Sequence, residues 1–463
     1  MIKAKEKPNF TEGAIFGRMI LFVIPLILTG LLQIAYNMAD NIVVGNFSGD
    51  PDALAAVGQT ASYNNLILNL FIGLASGAGV VVAQYFGAKR FEELKRTVHT
   101  AMLLSVIIGV ILLILGLIVT RPILSLIVKD ELLDKSNLYM TIICCGIPAA
   151  SVYNFGASIL RSLGDSKRPL IILALSGLVN VALNLVFIIC FDMSVAGVAL
   201  ATVISQYISA VSVVVLLVRS EEDYVALKIR HLRMNKDIFI KILYCGIPAA
   251  MQSSIFSIAN MALTGAVSTF PKETITANTI AGNIDGITFT CMNAFTTCAM
   301  TFAGQNYGAR KKDRLMRVFL YSIIQVTVVG ILIAQAELLF ADPIANLYIS
   351  ASDSNRDIII SETLKVMQIM LPLYFLCGIM NVMVGYLRGV GLSAGPMLSS
   401  VLCVVIIRFS WIFFVFPIHS DSIQWLYLCF PITWIVTIIA NIGLFIYAHN
   451  RKSNNTPLVI TGE

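Results

Sequence analysis

The sequence AMLLSVIIGVILLILGLIV occupies residues 101–119 and contains no charged side chain. As an α-helix this stretch would be about 28 Å long, which matches the roughly 30 Å hydrocarbon core of a bilayer. Similar apolar runs recur from Phe16 to Ala448, with only short polar connections between them. We therefore expect the chain to cross a membrane many times.

Composition leads to the same class of protein. Hydrophobic residues make up 57% of the 463-residue chain and charged residues 13%, with a mean hydropathy of +0.84, whereas a soluble domain carries about 25% charged residues. A membrane β-barrel would need short segments of strict apolar and polar alternation, and the apolar runs show no such alternation. We predict an all-α integral membrane protein with twelve transmembrane helices, at residues 15–44, 53–83, 95–120, 134–162, 168–191, 195–218, 237–268, 275–303, 314–340, 358–387, 395–417 and 424–448.

Basic residues predict the orientation of these helices, because Lys and Arg near helix ends favour the cytoplasmic side. Most of the 32 Lys and Arg residues precede helix 1, follow even-numbered helices or follow helix 12. Examples are Lys89 and Arg90 after helix 2, and Arg310 and Lys311 after helix 8. We therefore expect a multi-pass protein of the plasma (inner) membrane with both termini in the cytoplasm. This asymmetry accounts for the net charge of +6, so nucleic-acid binding is not expected.

An internal duplication joins two similar halves. The sequence QYFGAKR at residues 84–90 is repeated as QNYGARK at 305–311, and LRSLGDSKRP at 160–169 is repeated as LRGVGLSAGP at 387–396. Each half holds six helices, so both halves enter the membrane from the same side, as in transporters built from parallel repeats. We predict two pseudo-symmetric six-helix bundles around a central cavity: residues 1–220, a cytoplasmic linker at 221–236, and residues 237–463 with a short cytoplasmic tail.

Prolines inside the membrane follow the duplication. Pro25 in helix 1 corresponds to Pro248 in helix 7, and Pro148 in helix 4 corresponds to Pro372 in helix 10. Proline removes a backbone donor and kinks a helix, and interrupted helices at matching positions of two halves point to a transport site. The paired placement favours hinges over ordinary bends.

The sequence resembles the multidrug and toxic compound extrusion (MATE) family over residues 12–448. The resemblance rests on NMADNIVVG at residues 37–45, on the two duplicated segments, and on AGVALATVISQ at 196–206. It implies a V-shaped pair of six-helix bundles that export organic, often cationic, compounds in exchange for protons or sodium ions. The residues alone indicate only a secondary transporter.

In the N-terminal half, one carboxylate predicted to lie inside the membrane has polar neighbours. Charged side chains deep in a bilayer are costly and usually functional. Asp40 lies towards the outer half of helix 1, Asn180 and Asn184 share one face of helix 5, and Asn154 and Thr202 complete the set. These oxygens suit either a proton or a hard cation, so the coupling ion is left open. The resemblance places the family's cation site at Asp40, Asn180, Asn184 and Thr202, with Asn154 as a further member; the second Asp that some members carry is Asn184 here.

Other polar and aromatic residues are candidates for the substrate cavity. In helix 7, Gly246-Ile247-Pro248 leads to Gln252 where one branch of the family has a glutamate, so coupling from the C-terminal half is doubtful. Asp285 and Arg408 are charges of that half, and either a buried pair between them or an Asp285 that faces a cationic substrate is consistent with the sequence. Glu337 is expected to snorkel at the outer end of helix 9. The candidate cavity residues are Gln33, Tyr36, Asn37, Tyr63, Phe155, Met251, Gln252, Asp285, Met292, Tyr374 and Arg408.

Two other functions compete with export. A flippase for a lipid-linked sugar or polysaccharide belongs to the same superfamily, but such proteins commonly have extra helices and a cavity rich in Arg and Lys, whereas Arg408 is the one basic residue expected to be embedded in the membrane, away from the helix ends. An intramembrane enzyme is not expected, because no zinc motif, GxSxG sequence or paired catalytic aspartates occur in the spans. We expect a monomer with a small-molecule substrate and no cofactor or resident metal, a transported proton or sodium ion being the one inorganic partner.

Overall fold

The computed structural model describes residues 9–50, 52–228, 230, 232–348, 355–419 and 422–452, and this part of the chain is almost entirely helical. The predicted tail beyond residue 452 lies outside the described residues, as do residues 229 and 231 of the predicted linker. Twelve long helices, some with internal breaks, run through the described ranges. They are α1 (Ile15–Phe47), α2 (Ala53–Gly87), α3 (Phe91–Ile127), α4 (Asp130–Ser162), α5 (Lys167–Leu185), α6 (Ser194–Val218), α7 (Lys236–Val267), α8 (Lys272–Gly308), α9 (Lys312–Leu339), α10 (Arg356–Met370 and Tyr374–Gly389), α11 (Ala394–Ser410) and α12 (Ile423–Tyr427 and Cys429–Lys452).

These helices confirm the all-α prediction and coincide one by one with the twelve predicted spans. Within the described residues, eleven of them are long and apolar enough to cross a membrane. The exception is α8, whose sequence is rich in Thr and Asn. Several helices are longer than predicted, because polar residues at their ends continue the helix beyond the apolar run: α3, for example, reaches from Phe91 to Ile127.

The duplication is visible in the backbone. Lys89 and Arg310 adopt the same left-handed conformation, with φ of 56° and 55°, and Gly164 and Gly391 follow with 90° and 91°. The left-handed region is costly for residues other than glycine, so its occurrence at the same place in both repeats indicates the same chain turn. Sequence similarity between the halves therefore reflects a repeated structure.

Both repeats also contain an irregular turn after their fifth helix. A π-helical turn, Val186–Cys190, continues α5, and a second one, Trp411–Val415, continues α11. Helix α10 is interrupted by a short 3₁₀ turn at Leu371–Leu373, which contains Pro372. Because proline lacks a backbone donor, the i to i−4 hydrogen-bond pattern cannot continue through it. Pro25, Pro148 and Pro248, by contrast, lie inside continuous helices.

By their internal contacts, the described residues form two compact units. Unit 1 consists mainly of Ile24–Ser253, and unit 2 mainly of Glu12–Val23, Ser254–Tyr307 and the residues from Lys311 onward. The division therefore runs through α1 and α7, close to Pro25 and Pro248, and differs from the predicted division at 221–236. The N-terminal part of α1 is counted with unit 2 and the N-terminal part of α7 with unit 1.

Close packing explains this assignment of the helix segments. In unit 1, a Cβ atom added to Gly246 of α7 would lie 2.9 Å from Leu74 Cα of α2, so only glycine allows this approach. In unit 2, the Gln325 side chain of α9 donates a hydrogen bond to the Phe16 carbonyl of α1 at 2.9 Å, and Phe22 packs edge-on against Phe302 of α8.

The described part of the predicted linker is docked on unit 1. Asp223 forms ion pairs with Lys95 at 2.6 Å and with Lys228 at 2.8 Å, and Nε2 of the buried His99 accepts a hydrogen bond from the Lys228 backbone at 3.1 Å. Val225 is 1% exposed. Residues 221–228, the described start of the predicted linker, therefore pack against α3 of unit 1.

Candidate cation-coupling site

Helix α1 is held against α5 near the predicted site. The Tyr36 ring packs directly over Gly177, where any Cβ atom would overlap the ring, and its hydroxyl donates to the Ala174 carbonyl at 3.0 Å. Asp40 follows Tyr36 by one helical turn and therefore lies on the same face of α1. This contact directs Asp40 towards the polar face of α5.

Asp40 meets both predicted asparagines. The Asn184 amide nitrogen donates to Asp40 Oδ1 at 2.5 Å. The Asn180 amide, in the orientation that satisfies its neighbours, donates to the same oxygen at 2.9 Å and accepts from Thr202 Oγ1 at 3.3 Å. Asn180 and Asn184 are 5% and 0% exposed, so this network is well buried.

The arrangement has the chemistry to hold either a proton or a hard cation. Both amides donate to the same oxygen of the Asp40 carboxylate. A proton would need only a free oxygen of Asp40. A sodium ion would need oxygen ligands, and Asn184 has a buried Oδ1 without a hydrogen-bond partner in the described part of the chain. Rotation of the amides would then turn further oxygens towards the ion.

The structure adds one residue to the predicted set and leaves another apart. Tyr139 of α4 is 9% exposed and lies close enough to Asp40 for an electrostatic interaction. The sequence around it, DKSNLYMT at residues 134–141, is polar and did not distinguish Tyr139 from its neighbours. Asn154, which was predicted to join the site, donates instead to the Ala150 carbonyl of its own helix at 2.8 Å.

The predicted substrate-cavity residues have very different environments. Phe155 and Met292 are 0% exposed and pack inside the two units. Tyr63 is also buried, and its hydroxyl is 3.2 Å from Thr120 Oγ1. These three side chains cannot contact a substrate in this conformation, because their surfaces are covered by other side chains. Gln252 and Tyr374 are also buried, whereas Gln33, Asn37 and Met251 are exposed.

Asp285 and Arg408 lie in unit 2. Of the two arrangements that the sequence left open for them, the buried pair is not formed. Arg408 Nη1 donates to Asn260 Oδ1 at 2.6 Å, and the guanidinium lies 4.2 Å from the centre of the Phe430 ring. Asp285 instead lines a cavity of about 190 Å³ together with Asn260 and Phe430. Within the described residues, no ion pair includes either Asp285 or Arg408.

Glu337 does not snorkel to the outer surface. It is 8% exposed, and its Oε2 accepts a hydrogen bond from Thr288 Oγ1 of α8 at 2.7 Å. The expectation failed because Glu337 lies only two residues before the end of α9, a position at which a long side chain usually reaches the interface. Nothing in the residues around Glu337 indicates that Thr288 of α8 binds it.

Known proteins share this fold and sequence pattern. A probable multidrug resistance protein of Bacillus subtilis, YoeA, is 25% identical over 455 residues, which cover 97% of this chain and 96% of the relative. A FAD transporter of Shewanella oneidensis is 25% identical and covers 73% of this chain and 75% of its own length. Among solved structures, a MOP superfamily transporter from Pyrococcus furiosus matches with a TM-score of 0.87 at 22% identity, covering 97% of this chain and 99% of that one.

A second solved structure is the outward-facing form of a MATE family multidrug resistance transporter. It matches with a TM-score of 0.86 at 22% identity and covers 98% of this chain and 99% of that one. The family model MatE matches residues 25–186 and 248–414. These two matches fall on the two repeats and together span more than two thirds of the chain. The chain therefore belongs to the MatE family of membrane transporters.

Proposed function

We propose that this transporter exports small organic compounds in exchange for a proton or a sodium ion, and that Asp40 binds the ion. The observation that carries the proposal is the convergence of Asn180 and Asn184 on a single oxygen of the Asp40 carboxylate. A carboxylate within a bilayer helix is costly, and this one is surrounded by polar groups that can stabilise its charge or share a bound ion.

Ion binding would act on the shape of α1. Neutralisation of Asp40 removes the charge that attracts the two amides, so their hydrogen bonds weaken and α1 can repack against α5. Pro25 lies 15 residues earlier in the same helix, where a missing backbone hydrogen bond allows bending. An ion that binds one conformation more tightly than the other shifts the equilibrium between them, which is the requirement for exchange by alternating access.

The cargo is proposed from the relatives and from unit 2. Several relatives are named as multidrug resistance or multidrug export proteins. The Asp285 carboxylate at the cavity of unit 2 suits a cationic group. The alternative of a lipid-linked sugar flippase is less favoured, because Arg408 is the one Lys or Arg that is buried in the described ranges, and a pyrophosphate would call for several.

Transport in vesicles tests this proposal. The purified protein is reconstituted into liposomes, and uptake of a fluorescent organic cation is measured with a sodium gradient alone and with a pH gradient alone. One of the two gradients should drive uptake by the wild type, and Asp40→Asn should lose that response. Asp134→Asn, which changes an exposed carboxylate of α4 (side chain 86% exposed), is the matched control and should respond as the wild type does.

Gradient-driven transport at the wild-type rate by Asp40→Asn would contradict the assignment. FAD is assayed in the same vesicles as a second cargo, since one relative is named for its transport. Uptake of FAD without uptake of the cation would exclude a cationic cargo.

A further inference from the structure

The C-terminal unit contains two carboxylates for which no ion pair exists among the described residues. Glu337 of α9 is 8% exposed, and its Oε1 is buried without a hydrogen-bond partner there. Asp285 of α8 also has a buried oxygen, Oδ1, without a partner. An unpaired charge inside a low-dielectric unit costs several kcal/mol, so two unpaired carboxylates require an explanation.

Helix geometry brings the two carboxylates towards each other. Thr288, which donates to Glu337 at 2.7 Å, lies three residues after Asp285 on α8, and residues with this spacing share a helix face. The two carboxylates are close enough to interact electrostatically, and the Tyr374 hydroxyl lies beside Asp285. They therefore belong to one cluster in which a fully ionised state would place two negative charges together.

The other groups facing this cluster do not supply a positive charge. Cys291 of α8 faces Glu337, Cys377 of α10 and Tyr427 of α12 face Asp285, and Tyr374 faces both; all four are neutral donors in their ordinary state. Arg408 of α11 is the one nearby cation among the described residues, and its Nη1 is occupied by Asn260 while its face stacks on Phe430. The least costly way to neutralise the carboxylates is a proton.

The cluster holds two carboxylates, and within the described residues no group of three or more His, Cys, Asp or Glu side chains could hold a metal ion. Protons can reach the cluster through the cavity that Asp285 lines, since about 190 Å³ has room for about six water molecules at roughly 30 Å³ each.

We propose that Asp285 and Glu337 form a second ion site in this transporter, which binds one proton shared between the two carboxylates. The site lies in unit 2, uses different residues from the Asp40 network and does not depend on the role of Asp40. Uptake places the proton on one carboxylate oxygen, where it is stabilised by the neighbouring carboxylate, and release returns it to water in the cavity.

Infrared spectroscopy of the carboxyl carbonyl band tests the proposal. All proteins are measured in the Asp40→Asn background, so that the carboxyl of the other site contributes nothing. The parent protein should show a protonated carboxyl band at neutral pH. Glu337→Gln and Asp285→Asn should each shift the frequency of this band, because each change replaces the carboxylate that accepts the hydrogen bond from the shared proton. Asp342→Asn, an exposed carboxylate of the same unit, should leave the band unchanged.

Three results would overturn the shared proton. They are an unchanged band in both single variants, a band that the two variants remove additively as two independent acids would, and loss of the band when sodium chloride replaces choline chloride at fixed pH. If the acidic variants do not fold, Thr288→Val keeps both carboxylates and removes only the donated hydrogen bond. It should shift the frequency of the band, and an unshifted band would contradict a protonated pair at Thr288.

Discussion

The hydrogen bond between Asn184 and Asp40 predicts an energetic coupling that can be measured. A hydrogen bond to a charged group contributes about 1.5–3 kcal/mol, whereas a neutral one contributes about 0.5–1.5 kcal/mol. Asn184→Ala should therefore destabilise the wild-type protein by about 2 kcal/mol. In the Asp40→Asn background the same substitution should cost about 1 kcal/mol, because only a neutral bond is lost. The resulting coupling energy of about 1 kcal/mol corresponds to a factor of about five in an equilibrium constant.

This value exceeds the average of about 0.6 kcal/mol for interhelical hydrogen bonds in a membrane protein, while staying below the maximum of about 1.7 kcal/mol. The assay is a double-mutant cycle on unfolding in mixed micelles, followed by circular dichroism at the helix band. Asn46→Ala is the matched control, since Asn46 is exposed on α1 and bonds only to the Ile42 carbonyl of its own helix. Its cost should be the same in both backgrounds. Equal costs for Asn184→Ala in both backgrounds would refute a bond to an ionised Asp40.

Three further predictions concern packing, the linker and orientation. Gly246→Ala should destabilise unit 1 by about 1–3 kcal/mol, because the added methyl group would overpack against Leu74. Gly265→Ala, which has nothing near its Cβ position, should be neutral or stabilising by up to about 1 kcal/mol. Equal effects of the two substitutions in thermal unfolding would contradict this packing. The two lysine partners of Asp223 lower its pKa to about 2. Its contribution to linker docking is therefore complete above about pH 4 and is lost as the pH falls towards 2. Asp223→Asn should increase deuterium exchange at residues 221–228 at neutral pH, and unchanged exchange would contradict the ion pairs. A cysteine introduced at residue 228 should react with an impermeant reagent only after the membrane is opened, and strong labelling of intact cells would reverse the topology.

The long apolar runs determined most of what could be predicted about the fold. Hydropathy finds helices such as α3 because no other spanning structure satisfies the backbone in lipid. It is weaker for α8, which fails the same test of composition in the described residues. Its span was predicted from the same apolar runs, and the repeat at residues 305–311, which matches 84–90, agrees with it.

The candidate site was predictable where polar residues cluster within apolar helices. Asp40 and Asn184 were identified in this way, and they meet as expected. Asn154 is also a polar residue in an apolar helix, but its amide donates a hydrogen bond to the Ala150 carbonyl of the same helix. Which partner the amide takes depends on the side-chain rotamer, which the sequence does not specify. Glu337 and Tyr139 were missed because neighbouring helices bury them. Thr288 of α8 binds the carboxylate of Glu337, and helices packed around α4 cover Tyr139.

The division of α1 between two units has a consequence for biogenesis. Ribosomes add about 5–20 residues per second, and 309 residues separate Phe16 from Gln325, which binds its carbonyl. The N-terminal part of α1 therefore waits about 15–60 s before its partner in α9 has been made. During this interval the N-terminal part of α1 must be shielded by lipid or by the insertion machinery. Truncated chains that end before α8 should leave the N-terminal part of α1 without its partners, and we expect quality-control proteases to degrade such chains.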